Sequence, residues 1–319
     1  MKPTIDKAIF LVGGKGTRLA PLTDVTPKPM IRIAGAPVTE HQILRARDAG
    51  VKEIVLATSY LAEVFEPHFG NGRKFGVSIK YAVEKEPLGT GGAIANAAQL
   101  LDLDNDESIF IFNGDVLSNH DLNSQSELHF STDADATLHL IEVADARAFG
   151  CVPLGSNNQV LEFLEKMPNP KANSINAGCY IFKSETISQI PVNKVVSIER
   201  DSFPSWLISG SAIYGYLDSS YWIDMGTPES MIKASRDLVL QNHGENLISP
   251  SAKINSGALV IGGSYVEAGA IIEAGAEISG SIIGEAAVVE SGSIVKNSYI
   301  SAKSRVKSGS KLSEIIHGF

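Results

Sequence analysis

The sequence is poor in the features that mark several protein classes. It has two cysteines among 319 residues, Cys151 and Cys179, each inside an apolar stretch and neither with a CxxC partner. A disulfide framework, a zinc site and a redox motif therefore have no support, and both residues read as small hydrophobes in strands. Long apolar runs are missing: the longest are strand-sized, and the opening MKPTIDKAIFLVGG holds too short a run for a signal peptide or a membrane span. The expected location is the cytoplasm, with no membrane partner. Basic residues are in deficit, 27 Lys and Arg against 36 Asp and Glu, and the net charge of −9 with no basic stripe argues against nucleic acid as a partner. An anionic small molecule stays open, because positive charge gathers locally at Lys15, Arg18 and Lys28. The length favours two domains over one core.

What is present falls into two regimes. Up to about residue 240, strand-like and helix-like segments alternate. AIFLV (8–12) ends at a Gly-rich turn, 38–50 carries a helical pattern closed by Gly50, and EIVLATS (53–59) reads as a buried strand. A short helix over 61–69, a strand at VSIKYAV (77–83), an Ala-rich helix over 91–101 and a buried strand at SIFIFNGD (108–115) follow. This rhythm predicts an α/β fold, a mostly parallel Rossmann-like sheet with helices on both faces. Ligands in such sheets bind beyond the carboxyl ends of the strands, where the 13–18 loop and Asp115 fall.

From Leu247 helices vanish and small residues dominate. Aliphatic residues recur at Ile248, Ile254, Val260, Val266, Ile272 and Ile278, then, after a slip of phase, at Ile282, Val288, Ile294, Ile300, Val306 and Leu312. A period of six fits neither a helix nor an alternating strand; it predicts a left-handed parallel β-helix of about four coils. The expected division is a catalytic domain over 1–241 and a hexapeptide-repeat domain over 246–316, with NHGEN (242–246) as linker.

The densest chemical signal is GGKGTRLAPLTDVTPKPM (13–30), directly after a strand. Gly13, Gly14 and Gly16 let backbone N–H groups approach and cradle phosphates. Arg18 adds a planar fork for phosphate oxygens and Lys28 a second cation, held stiff by Pro27 and Pro29. The loop is not a Walker A motif, since Gly16 follows Lys15, and it lacks dinucleotide-fold spacing.

With the segments EKEPLGTGGA (84–93), FNGDV (112–116), FGCVP (149–153), FLEKMP (163–168), INAGCY (175–180) and YWIDMGTP (221–228), the loop resembles the sugar-1-phosphate nucleotidyltransferases, particularly bacterial GDP-mannose pyrophosphorylases. The resemblance implies transfer of a guanylyl group from GTP to mannose 1-phosphate. It implies a triphosphate held by Gly13, Gly14, Gly16, Thr17, Arg18 and Lys28, with Gly89, Thr90, Asn113 and Gly114 also contacting substrate. Asp115 and Asp224 would hold Mg²⁺ against the α-phosphate. Lys166 would neutralise the sugar phosphate, while Gly150, Glu165 and Asn176 meet the sugar; Met167, between Lys166 and Pro168, departs from the family's EKP.

Base choice is read at Glu84. The family's thymidylyl and uridylyl enzymes resemble one another in carrying glutamine there, which suits the imide edge of uracil or thymine. A carboxylate only accepts, and guanine offers the adjacent N1–H and 2-amino donors. Alternatives are a thymidylyl- or uridylyltransferase acting on glucose 1-phosphate, a guanylyltransferase for another sugar phosphate such as a heptose, and a non-catalytic regulatory subunit. The retained Arg18, Lys28, Asp115, Lys166 and Asp224 oppose the last. Acyl transfer by the tail lacks a histidine on a coil, for only His243 and His317 lie there. The tail is expected to serve assembly, giving a homo-oligomer.

Overall fold

The computed structural model describes residues 4–319. By packing, they divide into two compact units: the chain up to Gly14 with Thr39–Trp222, and Lys15–Val38 with Ile223–Phe319.

The first unit is built on a nine-stranded sheet. Its main path runs Leu164–Glu165, Gly150–Cys151, Ser174–Lys183, Ser108–Asn113, Lys7–Leu11, Glu53–Thr58, Ser78–Val83, while Ala136–Glu142 and Ile213–Asp218 extend from Ser174–Lys183. The central strands KAIFL, EIVLAT and SIFIFN are almost wholly buried, as continuous apolar runs in a covered parallel sheet must be. Lys7–Leu11 pairs in parallel with both Glu53–Thr58 and Ser108–Asn113, and Phe10 stacks on Phe112 at 4.7 Å between ring centroids. The sheet is mixed overall: Ser174–Lys183 runs antiparallel to Ser108–Asn113 and to Ala136–Glu142. Parallel pairing recurs later, where Ile213–Asp218 lies beside Ala136–Glu142, and Ser174–Lys183 is the strand that opposes its neighbours on both sides. The helix expected to end at Gly50 spans Val38–Asp48, and Gly50 has φ 108°. The segment 61–69 is a 3₁₀ turn, Ala62–Val64, followed by one α-turn, Phe65–Phe69.

The second unit holds the excursion 15–38, the helix Pro228–Asn242 and the left-handed β-helix. Three all-parallel sheets, of five, four and four short strands, form the faces of the prism. The first run points inward as the hexads require, with Val260, Val266, Ile272 and Ile278 buried. In the second run the inward residues are Ile283, Val289, Val295, Ile300 and Val306, so Ile282, Val288 and Ile294 are not the core positions of their coils.

The reason is a shortened corner. Val266 pairs with Ile248, eighteen residues back, but Ile283 pairs with Val266 and Ile300 with Ile283, each seventeen back. The first coil turns through two left-handed glycines, Gly262 and Gly263, whereas later coils turn on Gly280 (φ 58°), Asn297 (φ 44°) and Glu314 (φ 57°). A buried serine follows each of the first three corners, and these stack: Ser264 Oγ accepts from Ser281 N at 3.2 Å, and Ser281 Oγ from Ser298 N at 3.1 Å. Serine thus supplies the acceptor that a tight corner denies to its backbone.

Within this unit the excursion is tied to its neighbours. Ala34 N donates to Ser235 Oγ at 3.1 Å, and a Cβ on Gly35 (φ 94°) would sit 3.1 Å from Leu247 Cδ2. Arg32 Nε lies 4.0 Å from Glu267 Oε1 and its guanidinium bonds the Tyr265 hydroxyl. No helix among the described residues is long and apolar enough to cross a membrane.

Candidate active site

In the first unit the functional side chains gather where strands end. Lys7–Leu11 runs into Gly13 and Gly14. Gly13 O accepts from Ser59 Oγ at 2.7 Å, and a Cβ on Gly13 would meet that same oxygen at 2.7 Å, so the close approach requires glycine. Gly14 is open. The neighbouring strand Ser108–Asn113 runs into Gly114 and Asp115; Gly114 N bonds Leu11 O at 3.0 Å, and a Cβ there would clash with that carbonyl. Asp115 is half-buried.

Glu84 follows the strand Ser78–Val83. Its Oε2 accepts from Leu88 N at 3.4 Å, while Oε1 is buried with no hydrogen-bond partner in the described structure. Burial pushes its carboxyl above the usual range, and the Leu88 N–H opposes that. An orphaned buried acceptor is costly unless a ligand supplies donors. Gly89 and Thr90 are held by the segment that begins at Val196. Thr90 opens the helix Gly89–Ala98, where its Oγ1 accepts from Ile198 N at 2.9 Å and donates to Glu199 Oε2 at 2.7 Å. Gly89 lies so near Val196 O that a Cβ would fall 2.6 Å from it. Both residues lock the helix start onto the segment 196–199.

Gly150 and Glu165 face one another across a two-residue antiparallel pair, and a Cβ on Gly150 would come within 2.9 Å of Glu165 Oε2. Lys166 is exposed, has φ 50°, and its Nζ is 3.5 Å from Glu165 Oε1. Its N–H bonds Phe149 O at 3.1 Å, so the turn holds this left-handed conformation ahead of Met167. Asn176 sits at a bulge in Ser174–Lys183: its Oδ1 accepts from Gly178 N at 3.0 Å and its Nδ2 donates to the Tyr180 hydroxyl at 2.7 Å. Asn113 also bonds that hydroxyl. One lone pair and one N–H of Asn176 remain for a ligand.

The second unit carries Arg18 and Lys28. Gly16 (φ 61°) permits the turn into Thr17–Leu19, and its carbonyl accepts from Thr23 Oγ1 at 3.0 Å. A Cβ on Gly16 would stand 3.0 Å from Lys28 Cβ. Lys28 is 6% exposed, with Nζ 3.5 Å from Asp224 Oδ1, so a buried ammonium and a half-buried carboxylate already neutralise one another. Arg18 and Thr17 are exposed. The Arg18 guanidinium lies over Gly226, where a Cβ would meet Nη2 at 2.7 Å.

Three residues not singled out in the sequence touch these candidates: Gly226 under Arg18, Glu199 beside Thr90, and Gln42, whose amide bonds Asn113 O and Val116 O on either side of Asp115. YWIDMGTP contains the first; nothing local marks the others. Among the described residues no group of three or more His, Cys, Asp or Glu could hold a metal ion. Sites completed by phosphate and water need fewer protein ligands than that.

The nucleotidyl transferase family model matches residues 7–241, and the chain belongs to this family of sugar-1-phosphate nucleotidyltransferases. It is 46% identical over 286 residues to the mannose-1-phosphate guanylyltransferase of Mycobacterium tuberculosis, covering 86% of this chain and 79% of that protein. It is 33% identical over 266 residues to the catalytic subunit beta of the Drosophila melanogaster mannose-1-phosphate guanylyltransferase, covering 79% and 71%. Among solved structures, HddC of Yersinia pseudotuberculosis in complex with GMP-PN superposes with a TM-score of 0.62 at 29% identity, over 73% of this chain and 100% of that one.

Proposed function

We propose that this protein transfers a guanylyl group from GTP to mannose 1-phosphate, giving GDP-mannose and pyrophosphate. The observation that carries the base is Glu84, a carboxylate with one buried oxygen lacking a donor. Guanine supplies two adjacent donors, whereas adenine would turn an acceptor toward the charge. Mannose is supported by the mycobacterial and fly relatives, both mannose-1-phosphate guanylyltransferases.

The reaction forms a bond from a phosphate oxygen of the sugar 1-phosphate to the α-phosphorus of GTP and breaks the α–β bridging bond, releasing pyrophosphate. The nucleophile is already an anion, so no general base and no covalent enzyme intermediate is needed. Catalysis is positioning and charge neutralisation. Arg18 and Lys28 neutralise the triphosphate, with the backbone of Gly13, Gly14, Gly16 and Thr17 against its oxygens. Lys166 holds the attacking phosphate; Glu165, Gly150 and Asn176 orient the sugar. Asn113 and Gly114 shape the wall beside Asp115, and Gly89 and Thr90 contribute by fixing the helix start. Asp115 and Asp224 offer the hard oxygen donors that suit Mg²⁺, which when bound withdraws charge from the α-phosphate. Two carboxylates plus phosphate and water make a chemically sufficient donor set.

The family match ending at residue 241 supports a functional division into catalytic residues 1–241 and a hexapeptide tail 246–316. We assign the tail to assembly, as a homo-oligomer. The test of the activity is pyrophosphate release by purified protein with Mg²⁺, GTP and either mannose 1-phosphate or glucose 1-phosphate. Release that depends on mannose 1-phosphate supports the reading; release only with glucose 1-phosphate, or none with GTP, removes it.

A further inference from the structure

We propose that Gln42 is a positioning residue that clamps the turn presenting Asp115. Gln42 lies in the helix Val38–Asp48 and is 7% exposed. Its Nε2 donates to Asn113 O at 2.8 Å and to Val116 O at 2.7 Å. These carbonyls bracket Gly114 and Asp115, so one amide group spans the turn from strand end to strand start.

Chemistry fixes the orientation of this amide. Both partners are carbonyl acceptors, so only the NH₂ end can face them, and its two protons are then both in use. The other end, Oε1, is buried and has no hydrogen-bond partner in the described structure. A flipped amide would set an acceptor against two acceptors. On the opposite side Gly114 N is bonded to Leu11 O at 3.0 Å. The turn that carries Asp115 is therefore pinned from the helix and from the adjacent strand.

Mg²⁺ demands near-ideal octahedral geometry, so a carboxylate on a turn that can drift by a fraction of an ångström is a poorer ligand. Groups that orient a ligating carboxylate commonly change metal affinity by about ten- to a hundredfold. Gln42 is silent in the sequence because its partners lie 71 and 74 residues away. The inference rests on the reading of Asp115 as a metal carboxylate.

Gln42→Glu keeps the shape but removes both donors and sets negative charge against two carbonyls. Gln42→Met keeps the length without charge, and serves if the first variant fails to fold. The probe is Mn²⁺ in the presence of GTP, followed by electron paramagnetic resonance, with the half-saturating Mg²⁺ of the reaction and the KM for mannose 1-phosphate measured beside it. Mn²⁺ affinity is expected to fall about tenfold or more, and half-saturating Mg²⁺ to rise in step. The KM for mannose 1-phosphate should stay within about twofold, because the clamp acts on the carboxylate and not on the sugar. Folded variants with unaltered Mn²⁺ affinity and Mg²⁺ dependence, whatever their melting temperature, overturn the proposal. Asp115→Ala is the control: unaltered Mn²⁺ affinity there shows that the metal reading of Asp115 has failed, and the clamp's role with it.

Discussion

The sheet and the β-helix both stack parallel strands, yet they use sequence differently. A sheet strand such as Ser108–Asn113 buries nearly every side chain, because it has a covered layer on each face. A β-helix strand such as Val288–Val289 or Arg305–Val306 buries one residue and exposes its neighbour to a lesser or greater degree. The functional load differs in the same way. The sheet unit offers hydrogen-bonding groups on or beside its strands: Glu84 and Asn113 at strand ends, Asn176 at a bulge and Glu165 on a two-residue strand. The unit containing the β-helix carries the cations Arg18 and Lys28 on a short, glycine-permitted loop whose continuation is fastened by Ser235, Leu247 and Glu267. Precision comes from register in one unit and from packing around tight turns in the other.

The comparison breaks most visibly by removing a charge from each unit. Asp115→Ala and Lys28→Ala should each lower kcat by about a thousandfold or more, with far-ultraviolet circular dichroism showing retained fold. Near-normal turnover in either would take that residue out of the reaction. Next in size is a cavity in the prism. Ile272 is fully buried, and Ile272→Ala should cost about 2–5 kcal/mol of stability in denaturant titration, with kcat almost unchanged. A parallel collapse of kcat would show the prism to be part of the reaction.

A smaller effect is expected from Glu84→Gln, which exchanges an acceptor for an acceptor–donor pair. The preference for GTP over UTP in kcat/KM should fall by about ten- to a hundredfold. A preserved preference would place base selection elsewhere. The smallest effect concerns pH. His139 and His120 stack at 3.6 Å in the sheet unit, and burial pushes His139 from 6.5 down to about 3 and His120 lower still. His129 falls to about 4, again chiefly by burial. Each binds its proton more readily when unfolded, so its contribution is complete above about pH 6.5 and is lost as pH falls toward the folded values. Tm should therefore drop on acidification below about pH 6.5, and His139→Phe should flatten that slope. An unchanged slope would assign the acid lability to other groups.

Legibility followed the range of the interactions. The Gly-rich turn after the first strand and the first six hexads were readable because their meaning lies within a few residues. The slip of phase was visible but the inward residues after it were not: the corner shortens from Gly262–Gly263 to Gly280 alone, and Asn297 and Glu314 later adopt the same left-handed conformation without being glycine. The tie of Thr90 to Glu199, 109 positions away, left no local mark. The direction of Ser174–Lys183 was hidden for the same reason, since periodicity fixes which face is buried and not which neighbour is chosen.

The most direct test of the whole account is a competition. Purified protein is given Mg²⁺, mannose 1-phosphate and equal concentrations of GTP, UTP, dTTP and ATP, and the nucleotide sugars are identified by mass spectrometry. The account expects GDP-mannose to dominate; a predominance of UDP- or dTDP-linked sugar would contradict it.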